Sequence, residues 1–127
     1  SGFRRSQKYS KIHMEILAPE LYDFDDENGP EFTKESDIYA LGITINEIMS
    51  GRRPYPLADC KKYYIEHVKE NSKRPNIFIP NNSNIENMLR DIIIGSEINP
   101  FYCLAQDKIN RPNIANISEI FTNFALF

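Results

Sequence analysis

The chain has 127 residues, of which 41% are hydrophobic and 26% charged, a composition that fits one soluble globular domain with a buried core. Its formal net charge of −3 gives no electrostatic reason to expect binding to nucleic acid or to a membrane. No apolar run approaches the roughly 20 residues that cross a bilayer, and no apolar segment of a signal peptide follows the basic N-terminus. The two cysteines, Cys60 and Cys103, are too few for a disulfide scaffold, so we expect reduced thiols in an intracellular, cytoplasmic protein. Residue 1 is Ser rather than Met, and we therefore expect a piece of a longer protein.

The first 22 residues contain the sequence EILAPELYDF, in which Pro19 follows a run of apolar residues. A helix can begin at Pro19, because the missing N–H costs nothing at that position. Glu20 would then lie in the first turn, close to the positive end of the helix dipole. The same carboxylate could instead be held by a distant cation, and local sequence does not decide between the two. Residues 23–34 contain acids, Asn-Gly and Gly-Pro, which predict an exposed loop.

Residues 36–51 give the strongest helix pattern of the chain. Ser36 or Asp37 can cap its first free N–H groups, and Gly51 is suited to end it. Apolar side chains recur at helical spacing and lie nearly all round the cylinder, which predicts a buried helix.

Further helices are predicted over residues 58–71, 84–94 and 113–126, the last capped by Asn113. One or two helical turns are expected at FYCLA, residues 101–105, and strand patterns are few. The fold class is therefore mostly α, with about five helices. The acidic residues 23–29 do not form a calcium loop, because Gly29 falls one position late and Lys34 stands where a glutamate ligand is needed.

Four landmarks stand in order along the chain: Ala18-Pro19-Glu20, Asp37-Ile38-Tyr39-Ala40-Leu41-Gly42, Arg74-Pro75, and Asp107 followed by Arg111-Pro112. Together they resemble the C-terminal, helical lobe of eukaryotic protein kinases. The Cys103-Leu104 pair and Arg111-Pro112-Asn113 look most like the tyrosine-kinase-like branch of that family. The resemblance covers about residues 8 to 125, so that residues 1–127 would be a partial kinase domain and residues 1–22 the end of its activation segment. It implies a helical fragment that lacks the N-lobe and the catalytic loop.

The resemblance also assigns roles to four residues. Glu20 would pair with Arg111, whose planar fork suits a carboxylate, and so tie the activation segment to the closing helices. Asp37 would accept hydrogen bonds from the backbone of the catalytic loop, although a plain N-cap aspartate also fits. Gly42 would permit close packing, or it is simply a tolerated helix glycine that costs about 1 kcal/mol.

The motifs that carry kinase chemistry are absent from the sequence: the glycine-rich loop, the strand lysine, the catalytic-loop aspartate with its asparagine, and the metal-binding Asp-Phe-Gly. We therefore expect no catalytic, cofactor-binding or metal-binding residue in this chain, and ATP and Mg²⁺ only in a complete parent domain. The segment before Ala-Pro-Glu, which consists of His13, Met14, Glu15 and Ile16, would face the protein substrate. His13 could act as a general base, but no acid that could orient it lies close in the sequence, so a surface residue is the favoured interpretation.

Two functions remain open from the sequence. In the first, the parent transfers phosphate from ATP to protein hydroxyl groups, and this chain is inactive without the missing N-terminal portion of the kinase. In the second, the chain is a non-catalytic, kinase-derived module that binds proteins, for which the helix at 58–71 offers Tyr63, Tyr64, Ile65 and His67.

Overall fold

The computed structural model describes residues 14–25, 27–80 and 82–125. Within them lie the helices α1 (Lys34–Ser50), α2 (Lys61–Tyr64, continued by a π-helical segment Ile65–Glu70), α3 (Asn84–Ile94) and α4 (Ile114–Ala125). Short 3₁₀ turns occur at Met14–Ile16, Pro19–Leu21 and Lys108–Asn110. These residues contain no strand beyond an isolated bridge between Asp25 and Gly29, so the predicted mostly α fold class is confirmed. None of these helices has the length and the apolar character needed to cross a membrane.

Helix α1 begins two residues earlier than predicted, because its N-cap is Thr33 rather than Ser36 or Asp37. Thr33 has extended backbone angles, and its hydroxyl accepts a hydrogen bond from the backbone N–H of Ser36 at 3.1 Å. The hydroxyl of Ser36 in turn accepts from the backbone N–H of Thr33 at 2.8 Å, which completes a reciprocal capping box. At the other end, Gly51 adopts φ +69°, the left-handed conformation expected of a C-terminal glycine cap.

The capping box predicts unequal effects of two alanine substitutions at the start of α1. Thr33→Ala removes the cap and should lower the free energy of unfolding by about 1 kcal/mol. Asp37→Ala, on an exposed side chain one turn later, should cost less in this chain. Urea unfolding followed by circular dichroism compares the two variants, and a larger loss for Asp37→Ala would contradict the assignment of the cap.

The core forms around the middle of α1, where Tyr39 and Ile43 are fully buried. Buried residues from the N-terminal segment, the loops and the other helices pack with them, including Leu17, Tyr22, Val68, Ile79, Ile93 and Leu104. The expectation of a buried helix is wrong for its last turn, since Ile48 is 73% exposed and Met49 41% exposed. Only the face of α1 that meets the other described elements is covered.

Helix α2 is shorter than the predicted 58–71, and at Ile65 its hydrogen bonds change to the π pattern. Tyr64 and Val68 point into the core. The ring of Tyr64 lies 5.8 Å from those of both Tyr22 and Tyr55, edge-on to the latter, so aromatic packing holds α2 against the segments that carry these two residues. Tyr64 and Val68 are the buried residues of this helix, while Lys62, Glu66, His67 and Glu70 are exposed.

Helix α3 has the predicted bounds, whereas residues 101–105 are not helical. The N–H groups of Cys103 and Leu104 instead donate to the carbonyls of Ile92 and Ile93 at the end of α3, at 2.9 and 3.1 Å. Asn113 caps α4 through a 2.8 Å bond from the N–H of Asn116, as expected. Ile117 is the buried residue of α4, and Phe121 remains 39% exposed.

Candidate functional site

Glu20 lies in a single 3₁₀ turn rather than at the start of a longer helix. Pro19 begins the turn, and Ala18 before it is extended, with φ −64° and ψ 150°. The turn directs the Glu20 carboxylate to the guanidinium of Arg111, with Nη1–Oε2 at 2.7 Å and Nη2–Oε1 at 2.8 Å. The structure therefore joins these two residues in a bidentate ion pair across 91 positions of sequence.

Arg111 also donates to the backbone around the carboxylate. Its Nε donates to the carbonyl of Ala105 at 3.0 Å, and its Nη1 donates to the carbonyl of Glu35 in the first turn of α1 at 3.1 Å. Nη2 makes a longer contact of 3.5 Å with the carbonyl of Gln106. A single guanidinium thus fixes the 3₁₀ turn, the start of α1 and the 105–106 loop relative to one another.

The two members of the pair differ in exposure, and this sets the electrostatics of the site. The side chain of Arg111 is completely buried, while that of Glu20 retains 30% of its exposure. Partial burial opposes ionisation of Glu20, but hydrogen bonds from Arg111 and from the backbone, together with the charge of Arg111, outweigh it. The pKa of Glu20 is consequently held below its usual value of 4.5.

Asp37 and Gly42 lie on different faces of α1. The side chain of Asp37 is exposed and helps to line a groove between the start of α1 and residues 108–115. Gly42 is buried, and a Cβ built on it would come within 2.7 Å of the Cβ of Cys103 and 3.0 Å of Cδ2 of Leu104. The absent side chain of Gly42 therefore lets the 103–104 segment lie directly on α1.

Of the four residues expected to face a substrate, His13 falls outside the described residues. Met14, Glu15 and Ile16 form a 3₁₀ turn whose side chains are half-buried. The carbonyl of Met14 accepts a hydrogen bond from the hydroxyl of Tyr22 at 3.3 Å, which anchors the turn to the core. The turn contacts both α1 and α2, and Met14 and Ile16 pack against the core.

Two arginines have roles that sequence reasoning missed. Arg74, noted only for the proline that follows it, donates to the carbonyl of Leu104 at 2.8 Å and to the side chain of Gln106 at 2.6 Å. Its guanidinium lies 5.2 Å from the ring centre of Tyr39, and that of Arg111 lies 5.1 Å from the same centre. The second, Arg53, contacts Glu15. No local pattern in the sequence signals these contacts, because the partners lie 30 or more positions away along the chain.

The hydrogen bonds of Glu20 and Arg111 hold separate elements of the fold together. Nowhere in residues 14–25, 27–80 and 82–125 do three His, Cys, Asp or Glu side chains gather as metal ligands. The thiol of Cys103 is buried, which raises its pKa to about 12 and disfavours the thiolate form.

Comparison with known proteins identifies the family. The family model described as protein tyrosine and serine/threonine kinase matches residues 2–121. The chain is 27% identical over 94 residues to calmodulin-binding receptor-like cytoplasmic kinase 2 of Arabidopsis thaliana, which covers 71% of the chain and 23% of that protein. It is 32% identical over 60 residues to hybrid signal transduction histidine kinase G of Dictyostelium discoideum, which covers 47% of the chain and 2% of that protein. The matched part is thus a small fraction of each relative. Because the family model spans nearly all of its length, the chain belongs to the protein tyrosine and serine/threonine kinase family.

Proposed function

We propose that this chain is the C-terminal helical part of a protein kinase domain of the tyrosine-kinase-like branch. The protein that carries it would transfer phosphate from ATP to hydroxyl groups of proteins. The observation that supports the proposal best is the bidentate pair of Glu20 and Arg111, which joins Ala18-Pro19-Glu20 to the closing helices in the arrangement that the resemblance implies. On this proposal, residues 14–22 are the described end of the activation segment.

ATP and Mg²⁺ would bind outside this chain. Its sequence has neither a glycine-rich loop nor an Asp-Phe-Gly motif, and phosphoryl transfer depends on groups of that kind to position the nucleotide and the metal. The missing N-terminal portion would cover the exposed side chain of Asp37 and the groove beside it. Ile109 and Ile114 in this groove are 72% and 63% exposed, which fits a surface that another part of the domain covers. A cytoplasmic location is part of the same proposal.

Nucleotide binding by the isolated chain and phosphate transfer by the full-length protein test this function. Calorimetric titration of the 127-residue chain with ATP and Mg²⁺ should give no binding. The full-length protein should transfer labelled phosphate to a protein acceptor. Phosphate transfer by the purified chain alone, retained through successive purification steps, would contradict the proposal, as would a full-length protein without any kinase motif upstream.

A non-catalytic protein-binding module is the second candidate. The observation that favours it is the exposed apolar surface, of which Ile48 and Ile114 are examples. The helix expected to bind partners contributes less than the sequence indicated, because Tyr64 is buried and the ring of Tyr63 lies against that of His67, with the ring centres 4.4 Å apart. Absence of phosphate transfer by the full-length protein, with a stably folded isolated chain, would favour this alternative.

A further inference from the structure

We propose that Arg53 selects acidic protein segments as substrates, by binding a carboxylate next to the substrate-facing turn Met14–Ile16. The inference rests on the proposed function, which makes that turn a contact surface for the phosphoacceptor protein. Arg53 follows the C-cap Gly51 and precedes Pro54, which is buried, so that its backbone is held between a helix end and the core. Its side chain reaches Glu15 in the turn, with Nη2 3.6 Å from Oε1.

The exposures of the two partners determine the charge that an approaching peptide meets. The side chain of Glu15 is 12% exposed, whereas that of Arg53 is 73% exposed. The carboxylate is therefore turned into the protein and the guanidinium outward, so that the charge that this pair exposes beside the turn is positive.

The contact with Glu15 leaves the hydrogen-bonding capacity of Arg53 unused. A separation of 3.6 Å is an ion pair but is longer than a hydrogen bond, and the part of the chain that the structure describes gives the Arg53 guanidinium no other acceptor. A guanidinium presents five N–H donors in a planar fork, which suits a carboxylate in two-point contact. Among common protein groups, an aspartate or glutamate of a bound peptide meets this requirement.

Arg52 provides a matched control in the adjacent position. It is exposed and equally charged, but its guanidinium lies 4.2 Å from the ring centre of Phe78 instead of beside the turn. Reversal of either charge changes the net charge of the chain by the same amount. A difference between the two variants therefore reports position and excludes a general electrostatic effect.

The experiment measures binding of three fluorescein-labelled peptides to the chain by anisotropy at low salt: one with Glu on both sides of a Ser, one with Gln and one with Lys in those places. We expect the Glu peptide to bind most tightly, and Arg53→Glu to weaken it about five- to tenfold while Arg52→Glu has little effect. The preference should fade at high ionic strength, because the site is exposed. Thermal melts of both variants establish that they remain folded.

Equal affinity for the three peptides, no measurable binding of the Glu peptide, or equal loss in both variants would overturn the role of Arg53. The proposed kinase function is measured separately, by phosphate transfer from the full-length protein to the same peptides. Transfer without an acidic preference would leave the kinase function standing and overturn this inference. Acidic binding lost only in Arg53→Glu, without any transfer, would support the inference as a binding site and contradict the kinase function.

Discussion

Replacement of Glu20 by alanine should lower the free energy of unfolding by about 3–5 kcal/mol, the largest effect that we expect from removal of one charged group. The reason is the burial of its partner. The Arg111 side chain has no exposure to water, so the guanidinium cannot recover by hydration the two hydrogen bonds that the carboxylate provides. A loss of this size is a large part of the stability of a small domain.

Urea unfolding of the Glu20→Ala variant is compared with that of Glu119→Ala, which removes an exposed carboxylate from α4 and should change stability little. An exchange of the two residues, Glu20→Arg with Arg111→Glu, should not restore stability. A glutamate at position 111 cannot donate hydrogen bonds to the carbonyls of Ala105 and Glu35, whereas Arg111 donates to both. A loss below 1 kcal/mol for Glu20→Ala, or full recovery in the exchanged protein, would contradict this role for the ion pair.

The same pair should make stability depend on pH in acid. Because the pKa of Glu20 is lower in the folded chain than its usual 4.5, the unfolded chain binds more protons in that range. The contribution of the pair is therefore complete above about pH 4.5 and is lost as the pH falls through the folded pKa. Unfolding measured between pH 7 and pH 3 should show a shallower decline in a Glu20→Gln variant than in the parent chain.

The helices could be predicted from the sequence where their pattern is local. Asn113 and Gly51 act at the ends of α4 and α1 as their residue types indicate. Thr33 was missed as a cap because it lies in a polar loop, five residues before the first apolar residue of α1, and only the reciprocal Ser36 bond identifies it. The FYCLA segment has apolar residues at helical spacing, but the N–H groups of Cys103 and Leu104 donate hydrogen bonds to carbonyls at the end of α3. Tertiary hydrogen bonds of this kind leave no local trace in a sequence.

The candidate site could be predicted from local sequence patterns even less than the helices could. Nothing in the spacing of residues links Glu20 to Arg111, and the expectation that they pair came from resemblance to kinases. The assembly of Arg74, Arg111 and the ring of Tyr39 was not anticipated, because each residue taken alone is compatible with the surface of any helical protein. Composition and periodicity identify which elements form, whereas the contacts between distant elements depend on how the elements pack.

Gly42→Ala should lower the free energy of unfolding by about 1–3 kcal/mol, although alanine is the better helix former by about 1 kcal/mol. The steric cost prevails because the new Cβ would lie 2.7 Å from the Cβ of Cys103. That atom is attached directly to the backbone and cannot rotate away. The N–H groups of Cys103 and Leu104 are bonded to the end of α3, so the segment could retreat only by breaking those bonds.

Thr44→Ala is the matched control in the same helix, where the side chain is exposed and its hydroxyl donates to the carbonyl of Ala40. There alanine should be neutral or slightly stabilising, because helix propensity is the main term that changes. Thermal and urea unfolding of the two variants then separate propensity from close packing. If Gly42→Ala matched or exceeded the stability of the parent chain, Gly42 would be no more than a tolerated helix glycine. The close contact between α1 and the 103–104 segment would then not need a glycine at this position.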